Sequence, residues 1–121
     1  MSTRDIVETY FAYVNSGRWD DYLTLFADDV VMEEQLLGRI EGLNAVAEGI
    51  QGLRAQPDFR NRPQEIVVEG ERAMAIWHIT APQADGKVLE VDGVNFFRIK
   101  DGKIVYFANY HDTAPFTELF G

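Results

Sequence analysis

Residues 88–111 read VLEVDGVNFFRIKDGKIVYFANYH. The stretch is rich in β-branched and aromatic side chains on both sides of Asp101-Gly102, the dipeptide that best accepts the positive φ angles of a two-residue hairpin turn. It therefore predicts a long strand over Val88–Lys100, a tight turn, and a returning strand over Lys103–His111. Upstream the same period of two continues. Ile66 and Val68 alternate with charge, Glu69-Gly70-Glu71 offers a turn, residues 73–80 read as another strand, and residues 81–87 as a loop or hairpin end. The second half of the chain is a meander of long antiparallel strands.

The first half has a different period. Ser2, Thr3 and Asp5 form a helix start, and Ile6, Val7, Tyr10, Phe11 and Val14 recur at three- and four-residue steps until Asn15-Ser16-Gly17 ends the run. A second helix carries Asp20 and Asp21 in its first turn and an apolar face of Trp19, Tyr22, Leu23, Leu25 and Phe26. Asp28-Asp29 is expected to break it. Val30-Val31-Met32 then reads as a short strand ending in the acids Glu33-Glu34. Residues 42–54 return to helical spacing through Leu43, Val46, Ala47, Ile50 and Leu53, weakened by Gly49 and Gly52. Pro57 and Pro63 are expected to bracket a polar loop, and Thr113 and Pro115 suit the start of a short terminal helix.

Helices followed by strands give the class α+β. Helices on one face force the sheet to curl, so the expected architecture is a cone: a strongly curved antiparallel sheet wrapped around N-terminal helices, with a ligand-sized cavity between them. The 121 residues are one domain, residues 1–121.

Composition narrows the function. With 46% apolar and 26% charged residues the chain is a packed globular protein, and no apolar run approaches the roughly 20 residues of a membrane span. A net charge of −9, with scattered basic residues, repels phosphate backbones and anionic lipid, so neither nucleic acid nor a membrane surface is an expected partner. A small hydrophobic or weakly charged molecule is. The absence of cysteine removes thiolate chemistry and leaves the cytoplasm as the default compartment. Serine occurs only at Ser2 and Ser16, at helix ends, which argues against Ser-His-Asp hydrolysis. The two histidines have no metal-ligand spacing, and the glycines at 38, 42, 49 and 52 form no phosphate loop, so no metal and no cofactor is expected.

Strand parity assigns side chains to the cavity. The sets read as inward are Met74, Ile76, His78 and Thr80; Val91, Gly93, Asn95, Phe97 and Ile99; and Val105, Phe107, Asn109 and His111. Each mixes apolar walls with one or two polar groups, as small-molecule pockets do. The opposite set, Trp77, Glu90, Asp92, Phe96, Arg98, Tyr106 and Tyr110, is an outer face aromatic enough to be covered by a second copy, so a homodimer is expected.

The stretches TYFAYVNSGRWDDYLTLFADDVVMEE (residues 9–34) and VNFFRIKDGKIVYFANYHD (residues 94–112) resemble the nuclear-transport-factor-2-like (NTF2-like) superfamily, in particular ketosteroid isomerases and SnoaL-like polyketide cyclases. The shared features are a helix ending in N-x-G, a following helix ending in LFADD, a strand ending in acids, and a late F-R-x-x-DGKI hairpin. The resemblance implies the cone fold for the single domain, and a reaction that needs no cofactor. Carried over from the isomerases, it puts a hydroxyl donor at Tyr10, a carboxylate base at Glu34 and a second donor at Asn95. That enzyme is a worked case of a carboxylate base with two hydrogen-bond donors. The cyclase pattern fits less well, because its catalytic histidine and aspartate fall near Asn95 and Asn109, which cannot transfer protons in the required way.

The expected function is therefore general acid/base proton transfer next to a carbonyl, as isomerisation, cyclisation or elimination of a hydrophobic substrate. Glu34, Tyr10, Asn95, His78 and His111 are the expected catalytic groups. Asn109, Met32, Met74, Ile76, Phe97 and Phe107 are the expected substrate-binding groups. The alternative is a non-catalytic member of the superfamily that binds a small ligand.

Overall fold

A computed structural model describes residues 1–116, and anything expected of the terminal segment beyond Phe116 lies outside the described residues. Helix α1 (Thr3–Asn15) starts on a reciprocal cap: the Ser2 hydroxyl accepts from the Asp5 N–H and the Asp5 carboxylate accepts from the Ser2 N–H. Hydrogen bonds from the Ser2 backbone N–H and the Ser2 side chain hold the Asp5 carboxyl below its ordinary pKa. The short α2 (Trp19–Leu23) follows, and then β1 (Phe26–Glu34), β2 (Gly38–Glu41), α3 (Leu43–Gly49), α4 (Gln51–Arg54), β3 (Arg60–Glu69), β4 (Arg72–Pro82), β5 (Val88–Lys100) and β6 (Lys103–His111). The six strands form one sheet in the order β2-β1-β6-β5-β4-β3. Neighbours are antiparallel except β1 and β6, which run parallel.

The hairpin turn is as the sequence predicts: Asp101 and Gly102 have φ of 51° and 76°, the two positive angles of a type I′ turn. Curvature comes from irregularities in the ladders, between Pro63 and Glu65 in β3, between Arg98 and Ile99 in β5 opposite β6, and between Phe26 and Val31 in β1. Three expectations are corrected. Asp28-Asp29 does not end a helix but sits in the irregular part of β1, where both acids reach solvent while Phe26 and Val30 stay buried. Pro63 lies inside β3, which it can do because β3 is an edge strand and the missing N–H leaves no ladder bond unmade. The helix expected over residues 42–54 breaks at Ile50 into α3 and α4.

The core lies between α1 and the concave face. Tyr10, Phe11, Phe97 and Phe107 pack ring to edge, with Tyr10 centred 5.1 Å from Phe97. Parity in β5 is as expected, with Val91, Asn95, Phe97 and Ile99 buried. In β6 the bulge makes Val105 the extra residue, so Ile104 is the buried one.

Parity in β4 is the reverse of the expected one. Ala73, Ala75, Trp77 and Ala81 are buried on the concave side, while Met74 and Ile76 are 46% and 47% exposed and His78 is on the convex face. Cross-strand partners share a face: Ala75 faces Asn95, and His78 faces Asp92. The physical reason is space. Helix α1 packs against β3 and β4, and small side chains there let it approach.

Candidate functional site

Between the helices and the concave face lies a cavity of about 470 Å³. Of the residues expected to line it, Tyr10, Met32, Glu34, Phe107, Asn109 and His111 do. Phe97 is buried beneath Tyr10, off the wall. Met74, Ile76 and His78 are on the other face, which removes them from any direct contact with a ligand inside.

Glu34 closes β1 and is the cross-strand partner of Asn109 in β6. Its Oε2 accepts from the N–H groups of Leu36 and Leu37 at 2.6 and 2.9 Å, and its Oε1 meets His111 Nε2 at 2.5 Å. Both side chains are nearly enclosed, 12% and 4% exposed. His111 Nδ1 lies 3.0 Å from the carbonyl of Asp112, which can only accept, so Nδ1 carries a proton. The Nε2–Oε1 contact sets an imidazole against a carboxylate, two side-chain types that serve as acids and bases in catalysis. Leu36 and Leu37, whose N–H groups clasp Glu34, themselves line the cavity.

A second network lies beside the first. Trp77 Nε1–H donates to Asn95 Oδ1 at 2.7 Å, and Asn95 Nδ2 donates to the Tyr10 hydroxyl at 3.4 Å. Indole is a donor only, which fixes the orientation of the Asn95 carboxamide. Burial pushes Tyr10 above the usual tyrosine range, against hydrogen bonds from Tyr22 and Asn95 that pull it down; burial raises Tyr22 further. Both phenols therefore remain neutral at working pH. Asn95, expected to touch substrate, is fully buried behind this wall, its carboxamide bonded to Trp77 and Tyr10.

Gly93 makes room for this network. A Cβ there would come within 2.4 Å of the Trp77 ring and 2.8 Å of the Tyr110 carbonyl oxygen. Trp77 uses that space to lie across β5, its ring 6.2 Å from that of His111. Gly93→Ala is expected to cost about 1–3 kcal/mol, measured by urea unfolding, because the Tyr110 backbone cannot yield. Trp77, missed by the parity reading, was legible in this pairing: a glycine opposite the largest side chain.

Two further residues escaped the sequence reading. Asn61, expected in a loop, is the second residue of β3 and lines the cavity, and its Oδ1 is buried without a partner among the described residues. Asn15, from the N-x-G that ends α1, grips the Asn61 backbone, accepting from its N–H at 2.7 Å and donating to its carbonyl at 2.8 Å. Asn109 Oδ1 is likewise buried and unpaired. A buried polar atom left so costs about 1–3 kcal/mol, and both residues line the cavity.

On the convex face His78 contacts Asp92 at 2.7 Å and Glu90 at 3.3 Å, and these acids raise its pKa. A raised folded pKa favours the protonated form. The stabilisation is therefore full below the unfolded value of about 6.5 and is lost as pH rises through the folded one. His78→Gln should narrow the gap between urea midpoints at pH 5 and pH 9. Equal narrowing in 1 M salt would show that these exposed charges are not the cause. Also on this face, the Tyr106 hydroxyl donates to Glu33, which pushes Tyr106 up to about 12.

No helix among the described residues is long and apolar enough to cross a membrane. A search among curated proteins finds no match. Among solved structures, a proposed polyketide cyclase from Pseudomonas putida KT2440 is 25% identical with a TM-score of 0.82, covering 98% of this chain and 97% of its own. Another proposed polyketide cyclase, from Xanthomonas campestris pv. campestris, is 26% identical with a TM-score of 0.77 over 98% and 96%. An NTF2-like protein of unknown function from Burkholderia pseudomallei K96243 is 22% identical with a TM-score of 0.86 over 98% of both. The SnoaL-like domain profile matches residues 7–107, most of the chain, so the cone, its parallel seam and its cavity are those of a protein that belongs to the SnoaL-like family of the NTF2-like superfamily.

Proposed function

We propose that the protein is a cofactor-independent enzyme that moves a proton at a carbon next to a carbonyl of a small, neutral, largely apolar molecule. The observation that carries this reading is the Glu34–His111 contact at 2.5 Å inside a cavity of about 470 Å³. The Glu34 carboxylate takes the α-proton, and the C–H electron pair moves into the enolate. Tyr10 accepts from Asn95 and Tyr22 and so has its own proton to give to the enolate oxygen. The Asn109 carboxamide, cross-strand from Glu34 and on the same cavity wall, has an Nδ2–H group to give as the second donor. Such a donor is worth roughly 10²–10³-fold in rate and a positioned base about 10²–10⁴-fold. Return of the proton to another carbon completes an isomerisation; attack of the enolate carbon on a second carbonyl, whose oxygen takes the proton back from Glu34, completes a cyclisation. Similarity to two proposed polyketide cyclases supports the latter outcome.

The test uses 2-tetralone in D2O. Loss of its α-proton signal by NMR should outpace the buffer rate at catalytic protein concentration. Binding without accelerated exchange would favour the non-catalytic ligand-binding reading instead.

The active form we propose is a cytoplasmic homodimer. Phe96, Tyr106 and Tyr110 share the convex face with the exposed Met74, Ile76 and Val67, and Arg98 lies over the Phe96 and Tyr106 rings. Trp77, expected in that patch, is on the other face and does not contribute. Light scattering at micromolar concentration should return twice the monomer mass, and a monomer would refute the pairing.

A further inference from the structure

We infer that Asn61 is a second polar anchor, binding a hydroxyl or carbonyl at the end of the ligand remote from Glu34, so that the cavity selects neutral molecules polar at both ends. This rests on the reading of the cavity as a substrate site and adds the shape and polarity of what enters it.

Asn61 is 7% exposed, lines the cavity and leaves its Oδ1 without a partner. Its Nδ2 makes no protein hydrogen bond among those of the described residues either. Buried carboxamides are normally paired, so the whole group, one acceptor and one donor, is unspent. Asn15 fixes the backbone that carries it, accepting from the Asn61 N–H and donating to the Asn61 carbonyl. A rigidly mounted, unspent polar group on a ligand-sized cavity is what recognition of a polar substituent requires.

Position and charge define the substituent. Asn61 is on β3 and Glu34 on β1, four strand spacings apart in the order β1-β6-β5-β4-β3. At 4.7–4.9 Å per spacing that is about 19 Å along the curved sheet. The two residues therefore stand on opposite walls, with Trp77 and Phe59 among the apolar groups that line the space between. Among the described residues no lysine or arginine lines the cavity, so a carboxylate or phosphate has no counter-charge there. A neutral hydroxyl or carbonyl fits the carboxamide.

The test compares 2-tetralone with 6-hydroxy-2-tetralone, whose hydroxyl lies on the ring remote from the reacting carbon. In the wild-type protein the hydroxyl should lower KM by about tenfold at similar kcat. Asn61→Leu, and Asn61→Ala read in parallel in case leucine does not fit, should erase that preference. Neither should lower the apo melting temperature. Calorimetric binding of both compounds separates this inference from the reading beneath it. Exchange without a hydroxyl preference, or with one that survives in both variants, overturns the anchor and leaves proton transfer standing. No exchange, but a calorimetric preference lost in the variants, supports the anchor and overturns proton transfer. Neither exchange nor preference overturns both.

Discussion

Glu34→Gln is expected to slow α-proton exchange at least a hundredfold, with KM nearly unchanged. Glutamine keeps the length and a carbonyl oxygen able to accept from the Leu36 and Leu37 N–H groups, so the loop over the cavity has no reason to move. What it removes is the basic oxygen, and it sets an amide against His111 Nε2 in place of a carboxylate. A loss confined to kcat would identify the group as acting in the transition state; a loss confined to KM would identify it as a binding group. Exchange that survives in Glu34→Gln and disappears in His111→Ala would move the base to the imidazole.

Trp77→Ala should destabilise the fold by about 3–5 kcal/mol in urea unfolding, the upper range for a buried side chain. Two losses add. The indole is 2% exposed, and its removal leaves a void beside Gly93 that the sheet cannot close. It also strips Asn95 Oδ1 of its donor in a fully buried place. Trp77→Phe retains much of the ring and loses only the N–H, so the difference between the two variants reads the packing contribution apart from the hydrogen bond. A cost below about 1 kcal/mol for Trp77→Ala would mean that the network does not hold this part of the sheet.

The hairpin of β5 and β6, the capped α1 and the α+β order could all be read from period and turn chemistry, because each depends on neighbours in sequence. The resemblance carried the cone and brought Tyr10 and Glu34 forward, and both line the cavity. What failed was β4. Its concave side is built of three alanines, Trp77 and Ile79, while Met74 and Ile76 are on the convex one, so apolar size pointed the wrong way. Only the cross-strand register, in which Ala75 faces Asn95 and Trp77 faces Gly93, sets that parity. The partner of Glu34 was likewise hidden, since His111 is 77 residues away and meets it only through the β1–β6 seam. Asn61 was missed because Pro63 made its surroundings look like a loop, and only the edge position of β3 makes that proline harmless.

The parallel seam also orders events in time. Strands that pair early in synthesis are close in sequence, whereas β1 must wait for β6, with the whole of β3, β4 and β5 between them. Long-range parallel pairing carries a large loop-closure cost before any contact rewards it, so this step should form the slow part of folding. During that wait the β3–β6 meander can be native-like while Glu34 and His111 are still apart. Recovery of catalytic exchange on dilution from urea should therefore lag behind recovery of sheet circular dichroism, and simultaneous recovery would show that the β1–β6 seam is not the slow step.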